Sequence, residues 1–185
     1  MTGSRHQEEA QPSSGSGNPH LRRILVPVDF SECSRKALDY AVSLANQFRS
    51  ELLLLHVVQP YVPVPELTAV DTELVLNRMM DAARKELARW RESLGKEVAV
   101  GTQLRVGRPE VEIERTISER KIDLAVLSTH GRTGLKHALL GSTAERVVRH
   151  ATCPVLVVRE HERDFVPPLA SSRTDRIRAQ SGTLV

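Results

Sequence analysis

Residues 123–149 read DLAVLSTHGRTGLKHALLGSTAERVVR and contain the parts of an anion-binding loop. The apolar run at 124–127 predicts a short buried strand, and Gly141, Ser142 and Thr143 begin a helical pattern. Backbone N–H groups approach an anion closely only where side chains are absent, and a helix start adds unpaired donors and a favourable dipole. The stretch therefore predicts either a phosphate cradle or an ordinary strand-to-helix connection with turn glycines.

Three further apolar runs predict buried strands at residues 24–28, 52–58 and 154–158, an alternating pattern predicts a half-exposed strand at 98–106, and helical patterns separate the strands. Ser31 suits the N-cap of the first helix, Gly95 follows the second helix at 71–94, and Pro109 suits the start of the third. The expected buried faces of the four helices are Ala37, Leu38, Ala41, Leu44, Ala45 and Phe48; Val75, Met79, Ala82, Ala83, Leu87, Trp90 and Leu94; Ile113 and Ile117; and Ala144, Val147, Val148 and Ala151.

The resulting order is β-α-β-α-β-α-β-α-β, which predicts a parallel sheet with helices on both faces. Open sheets of this kind bind ligands beyond the carboxyl ends of their strands. Two of these ends carry polar or small residues: Asp29 follows the first strand, and residues 128–131 follow the fourth. Asp29 faces this loop if the two strands are neighbours, which the pattern alone leaves open.

Composition narrows the class of protein. The chain has 185 residues, 40% of them hydrophobic, and a net charge of +3. We expect one domain at 21–160, with polar, disordered tails at 1–20 and 161–185. We predict no membrane span and no signal peptide, and hence a cytoplasmic protein. With 3% aromatic residues and mixed charges, nucleic-acid binding is not expected.

Several motifs together resemble one known family. These are residues 24–31 (ILVPVDFS), His56 with Val57, residues 107–109 (GRP), and residues 128–131 (STHG) followed by Gly141-Ser142. In this order and spacing they resemble the universal stress protein family over residues 21–160. The resemblance implies a Rossmann-like, adenine nucleotide alpha hydrolase-like sheet of five parallel strands in the order 3-2-1-4-5, with four helices. It also implies a homodimer through antiparallel pairing of the fifth strands, at residues 154–158.

The resemblance further implies ATP binding. ATP-binding members carry G-x-x-G-x9-G-[ST]; Gly131, nine residues and Gly141-Ser142 match it, whereas Ser128 replaces the first glycine. By position, Asp29 is expected to bind the ribose or help to hold Mg²⁺, and Val57 to contact adenine. The implied nucleotide-binding residues are Pro27, Val28, Asp29, Val57, Leu127, Ser128, His130, Gly131, Gly141, Ser142 and Thr143.

Other readings of these residues remain open. Asp29 alone also suits a helix start, His130 a loop hydrogen bond, and His56 a hydrogen-bonded core position. Residues Arg132 and Lys136 are either phosphate contacts or solvated charges. No enzyme constellation is convincing, so we expect slow or negligible ATP hydrolysis. The alternatives to an ATP-binding stress regulator are a dimeric interaction module that binds no nucleotide and a slow ATPase; the sequence identifies no protein partner.

Overall fold

In the part of the chain that the structure describes, five strands run parallel in one sheet. They are β1 (Arg23–Pro27), β2 (Glu51–Val58), β3 (Val100–Val106), β4 (Leu124–Ser128) and β5 (Val155–Val158). Their order across the sheet is β3-β2-β1-β4-β5, which confirms the expected topology. Strand β1 pairs with β2 on one side and with β4 on the other, so the winding of the chain reverses at β1. This reversal creates the switch point at which such sheets bind ligands.

In the described residues, four helices cover the two faces of the sheet: α1 (Glu32–Phe48), α2 (Ala69–Ser93), α3 (Pro109–Arg120) and α4 (Ser142–His150). One core contains residues of α1 and α2, including Leu38 and Leu87, packed with Val26 of β1. A second core contains Ile113 of α3 and Val147 of α4, packed with other residues of the same strands. Side chains that alternate along each strand thus enter opposite cores, as expected for a parallel sheet buried on both faces.

The computed structural model describes residues 21–60, 69–96, 98–129 and 140–159. The predicted tails at 1–20 and 161–185 lie outside the described residues, as does most of the predicted anion-binding loop. Within the described ranges, no helix combines the length and apolar character that crossing a bilayer requires.

The helix boundaries follow local chemistry. Ser31 is the N-cap of α1 and accepts a hydrogen bond from the Ser34 N–H at 3.2 Å. Pro109 is the first residue of α3, where its missing N–H costs no helical hydrogen bond. These two boundaries confirm the predictions, and α2 ends at Ser93, just before Gly95. Strands β3 and β5 begin at Val100 and Val155, slightly later than predicted.

The predicted buried face of α2 is wrong for its first half. Val75 and Met79 are 38% and 39% exposed, and Ala82 is also exposed. Burial at the predicted positions begins only at Ala83 and continues at Leu87, at Trp90 and at Leu94, the residue just after the helix. A helix of 25 residues is about 37 Å long, whereas the eight residues of β2 span about 26 Å. The helix is therefore longer than the sheet that it covers.

Two single residues also differ from prediction. Phe48 is exposed because it is the last residue of α1, one turn beyond Ala45, the last buried position of that helix. Val148 is exposed because it lies about 100° around α4 from Val147, which is fully buried. The helix has nine residues and buries only Ala144 and Val147.

Candidate functional site

The carboxyl ends of β1 and β4 lie side by side. Ile24 is paired with Leu124 and Leu25 with Ala125, so the turn after β1 and the loop after β4 leave the sheet next to each other. This confirms the adjacency that the pattern of strands left open. Open α/β sheets have their ligand-binding crevice at such a switch point, and we call this position the β1–β4 crevice.

Asp29 lies in the turn between β1 and α1. Its Oδ1 accepts hydrogen bonds from the Ser31 N–H at 3.1 Å and from the Ser31 hydroxyl at 2.6 Å. The same Ser31 oxygen accepts the Ser34 N–H, so one serine both caps α1 and orients the carboxylate. The positive end of the α1 dipole, which favours nearby negative charge, lies close by. The helix-start role of this segment and a ligand-binding role for Asp29 are therefore compatible.

The backbone of Val28 is held by β2. Its N–H donates to the Leu55 carbonyl at 2.8 Å, and its carbonyl accepts a hydrogen bond from His56 Nδ1 at 2.7 Å. Because a carbonyl only accepts, the His56 proton at this contact resides on Nδ1. His56 is thus a hydrogen-bonded, partly buried histidine, in agreement with the structural role expected for it. Pro27 ends β1, and Val57, which follows His56, is partly buried at the end of β2.

Strand β4 and helix α4 are tied together directly. Leu127 is buried, Ser128 is partly buried, and the next residue, Thr129, donates its N–H to the Val158 carbonyl at 3.0 Å. The Thr129 carbonyl in turn accepts the Gly141 N–H at 2.7 Å. This bond brings the start of α4 to the end of β4, although ten residues of the intervening loop are not described.

The first turn of α4 is suited to an anion. Gly141 is the N-cap and has no side chain to occupy the helix N–H groups. Ser142, which is exposed, and Thr143, which is partly buried, are the first two residues of α4, so both hydroxyls lie in its first turn. The acid of this turn, Glu145, is paired with Arg149 at 2.9 Å, one turn toward the C-terminus. Its charge is therefore directed away from the helix start.

Two of the predicted site residues, His130 and Gly131, lie outside the described residues, together with Arg132 and Lys136. The remaining nine lie at the carboxyl ends of β1, β2 and β4 or at the start of α4. The structure thus brings these nine residues together at the carboxyl end of the sheet.

A divalent cation would find few protein ligands here. Among the described residues, no group of three or more His, Cys, Asp or Glu side chains has the geometry to hold a metal ion. Asp29 provides a carboxylate, the ligand type that Mg²⁺ prefers, and Mg²⁺ usually takes only one or two such ligands in addition to phosphate oxygens and water. The residues present therefore fit an ion that arrives with a phosphate ligand.

An ion-pair cluster beside this site was not anticipated. Glu110 is 8% exposed, and its Oε1 accepts hydrogen bonds from Arg146 at 3.0 Å and Arg108 at 2.5 Å. Burial alone would raise the pKa of Glu110. Hydrogen bonds from its own N–H, Arg108 and Arg146 outweigh this effect and lower the pKa. No periodicity links residues 110 and 146, so only the packing of α3 against α4 reveals the pair.

An aromatic cluster was also not anticipated. The rings of Phe30 and His56 are stacked with centroids 4.3 Å apart, and Phe30 contacts Trp90 edge-on at 5.6 Å. The Arg35 guanidinium lies over the Trp90 ring, 5.4 Å from its centroid. The four residues come from α1, α2, β2 and the turn after β1, and no sequence spacing predicts their meeting.

Comparison with known proteins agrees with this architecture. Residues 20–159 match the family described as the universal stress protein family. Universal stress protein MJ0531 of Methanocaldococcus jannaschii is 34% identical over 153 residues, which cover 80% of this chain and 88% of that protein. The solved structure of universal stress protein UspA from Lactobacillus plantarum has a TM-score of 0.68 at 30% identity and covers 77% of this chain and 100% of that one.

A more distant universal stress protein was solved in complex with cAMP. It has a TM-score of 0.56 at 23% identity and covers 75% of this chain and 97% of that one, so its likeness concerns the fold alone. The sheet order, the match along nearly all described residues and the relative at 34% identity lead to one conclusion. The chain belongs to the universal stress protein family.

Proposed function

We propose that this protein binds ATP in the β1–β4 crevice and acts as a nucleotide-binding regulator of the cellular stress response in the cytoplasm. The observation that carries the proposal is the 2.7 Å hydrogen bond from the Gly141 N–H to the Thr129 carbonyl. This bond joins an N-terminal helix turn, the usual phosphate-binding element, to the strand beside Asp29. A carboxylate for ribose hydroxyls and a helix start for phosphates thus share one crevice.

Each part of a nucleotide has a proposed set of contacts. The base contacts Val57, and the nucleoside lies beside Pro27 and Val28. Asp29 accepts hydrogen bonds from the ribose, with Leu127 packed nearby. The phosphates interact with backbone N–H groups and hydroxyls of the loop and of α4, the residues being Ser128, His130, Gly131, Gly141, Ser142 and Thr143.

The chemistry of α4 supports phosphate binding. A glycine N-cap leaves the first N–H groups of the helix approachable, and the dipole of the helix favours negative charge at this end. Pairing of Glu145 with Arg149 reduces the repulsion that an acid in the first turn would otherwise exert. Mg²⁺, held by phosphate oxygens and Asp29, would supply further positive charge when bound.

The nucleotide content of the purified protein tests the proposal. Denaturation of wild-type protein should release ATP or a related adenine nucleotide. Gly141→Ala should carry less, because a methyl group then stands where the phosphate approaches the backbone. Gly101→Ala is a matched control, since its new Cβ meets Leu53 Cδ1 at 3.5 Å, an ordinary contact in β3. Absence of released nucleotide, together with no binding of ATP and Mg²⁺ by calorimetry, would refute the proposal.

A second candidate function is a dimeric interaction module that binds no nucleotide. Ser128, where ATP-binding members have glycine, favours this alternative. Nucleotide release on denaturation and calorimetry with ATP and Mg²⁺ distinguish this module from an ATP-binding protein. A third candidate is a slow ATPase, and multiple ATP cleaved per subunit within minutes, abolished by Asp29→Ala, would show hydrolysis faster than we propose. We propose slow or negligible hydrolysis, since His130 and Asp29 are the only candidate groups for positioning water.

We further propose that the protein forms a homodimer through β5. This strand lies at one edge of the sheet, and Val155, Leu156 and Val157 are only partly buried in the single chain. An apolar edge strand is prone to pair with another strand. The opposite edge strand, β3, carries Gln103 and Arg105, so it is less suited to an apolar interface.

A further inference from the structure

Phe30 adopts a backbone conformation that bulky residues rarely take. Its φ is 65°, in the left-handed region. Among the described non-glycine residues, only Arg49 and Lys121 share a positive φ, and both are C-caps of helices, where this conformation is common. Phe30 instead precedes a helix. Such conformations persist only where surrounding contacts hold them, and they concentrate at functional sites.

Contacts from two elements, β2 and α2, hold Phe30 in this conformation. Its ring stacks on His56 of β2 and also packs edge-on against Trp90 of α2. His56 is itself fixed by the 2.7 Å hydrogen bond from Nδ1 to the Val28 carbonyl. Arg35 of α1 lies over Trp90. The ring of Phe30 therefore fastens the turn after β1 to the end of β2 and to α2.

The same turn sets the direction of the Asp29 carboxylate. Because Phe30 turns the chain, Ser31 folds back on Asp29, with its N–H at 3.1 Å and its hydroxyl at 2.6 Å from Oδ1. These two bonds depend on the backbone angles of the residue between them. A turn without the aromatic ring would sample other angles and release the carboxylate from this orientation.

We propose that Phe30 is a positioning residue that aims Asp29 at the sugar hydroxyls of the ligand and so makes the site select an intact ribose. The inference rests on the proposed nucleotide function and adds the source of its sugar selectivity. A glycine at position 30 permits this turn without strain but also permits many other backbone angles, and it lacks the ring that holds the turn in place, whereas Tyr preserves the stacking surface. The two substitutions therefore separate backbone geometry from ring packing.

The test compares the binding of ATP, 2′-deoxy-ATP and 3′-deoxy-ATP, each with Mg²⁺, by calorimetry. Wild type should prefer ATP to at least one deoxy analogue by roughly tenfold, the loss expected for a hydrogen bond to a charged group. Phe30→Gly should reduce this preference to within about twofold while remaining folded by circular dichroism, and Phe30→Tyr should retain it. Should Phe30→Gly fail to fold, Phe30→Leu, which keeps apolar bulk without a ring, takes its place with the same expectation.

A purely structural role for Phe30 would weaken all three ligands equally and leave the preference unchanged, and this result would overturn the inference. A wild type that binds ATP and both deoxy analogues equally would overturn it as well. No binding of any of the three by wild type would instead refute the proposed nucleotide function itself. Trp90, the only tryptophan of the chain, provides an independent fluorescence readout, since it contacts Phe30 directly.

Discussion

Glu110 of α3 accepts a hydrogen bond from Arg146 of α4 at 3.0 Å, and this ion pair joins two helices that meet beside the β1–β4 crevice. Within the part of the chain that the structure describes, α4 has few other contacts, because only Ala144 and Val147 are buried along its nine residues. Its start is held by the Gly141–Thr129 hydrogen bond. Among the contacts of the described residues, the position of the proposed phosphate-binding turn thus depends on Ala144, Val147, the Gly141–Thr129 bond and the ion pair.

Replacing Glu110 with Gln should lower the free energy of unfolding by about 1 kcal/mol at pH 7. The value is modest because the arginine partners are more than half exposed and solvent screens the pair. Since folding lowers the pKa of Glu110, its contribution is complete above the ordinary pKa of about 4.3 and is lost as pH falls through the folded-state pKa. Urea unfolding should therefore show a difference between wild type and variant at pH 7 that shrinks below about pH 4.

The control for this experiment is Glu145→Gln, which breaks the exposed pair with Arg149 on the same helix. Its effect should be below about 0.5 kcal/mol. Equal effects of the two substitutions, or a difference at Glu110 that grows as the pH falls, would contradict the assigned role of the ion pair.

Adjacent valines on α4 should differ sharply in their contribution to stability. Val147 is fully buried, so Val147→Ala should cost about 1–2 kcal/mol from lost burial and a small cavity. Val148 is 47% exposed, and Val148→Ala should change the unfolding free energy by less than about 0.5 kcal/mol. Thermal or urea unfolding of the two variants measures the difference. A similar cost at both positions would mean that α4 is rotated from its position in this structure.

A proline in β5 should separate dimerisation from folding. The Pro154 and Val158 carbonyls accept bonds from the Ala125 and Thr129 N–H groups. Backbone groups alternate in direction along a parallel strand, so those of Val155 and Val157 point away from β4. Val157→Pro therefore removes a donor on the proposed dimer side and leaves the β4 ladder intact.

We expect Val157→Pro to be a folded monomer in sedimentation or light scattering, whereas wild type and Val157→Ala are dimers. A dimer that survives Val157→Pro would place the interface elsewhere on the surface. A monomeric wild type would contradict the proposed assembly altogether.

Much of the fold follows from hydrophobic periodicity, because each strand buried on both faces is a continuous apolar run. Periodicity does not predict the order of the strands in the sheet. Residues 52–58 and 154–158 have similar apolar sequences, and nothing in them shows which strand lies at an edge. The family resemblance supplied the order, and the observed pairing of β1 with β4 agrees with it. Periodicity also failed where a helix extends past the sheet, as at Val75 and Met79 of α2.

The candidate site was predictable to the extent that its residues follow strand ends. Asp29 and Ser128 could be placed at one edge of the sheet because the carboxyl ends of parallel strands share that edge. The contacts that orient these two residues could not be predicted from the sequence. The sequence does not predict the left-handed turn at Phe30, because phenylalanine disfavours this conformation. It does not predict the Glu110–Arg146 pair either, because the two residues are 36 positions apart. Both depend on tertiary packing rather than on local preference.

Calorimetric titration of ATP with Mg²⁺ into wild type and Asp29→Ala tests the central claim most directly. Asp81→Ala, which removes an exposed carboxylate paired with Arg84 on α2, serves as the control. We predict one ATP bound per chain, an affinity reduced roughly tenfold or more in Asp29→Ala, and no change in Asp81→Ala. No binding to the wild type, or equal affinity in wild type and Asp29→Ala, would contradict nucleotide binding in the β1–β4 crevice.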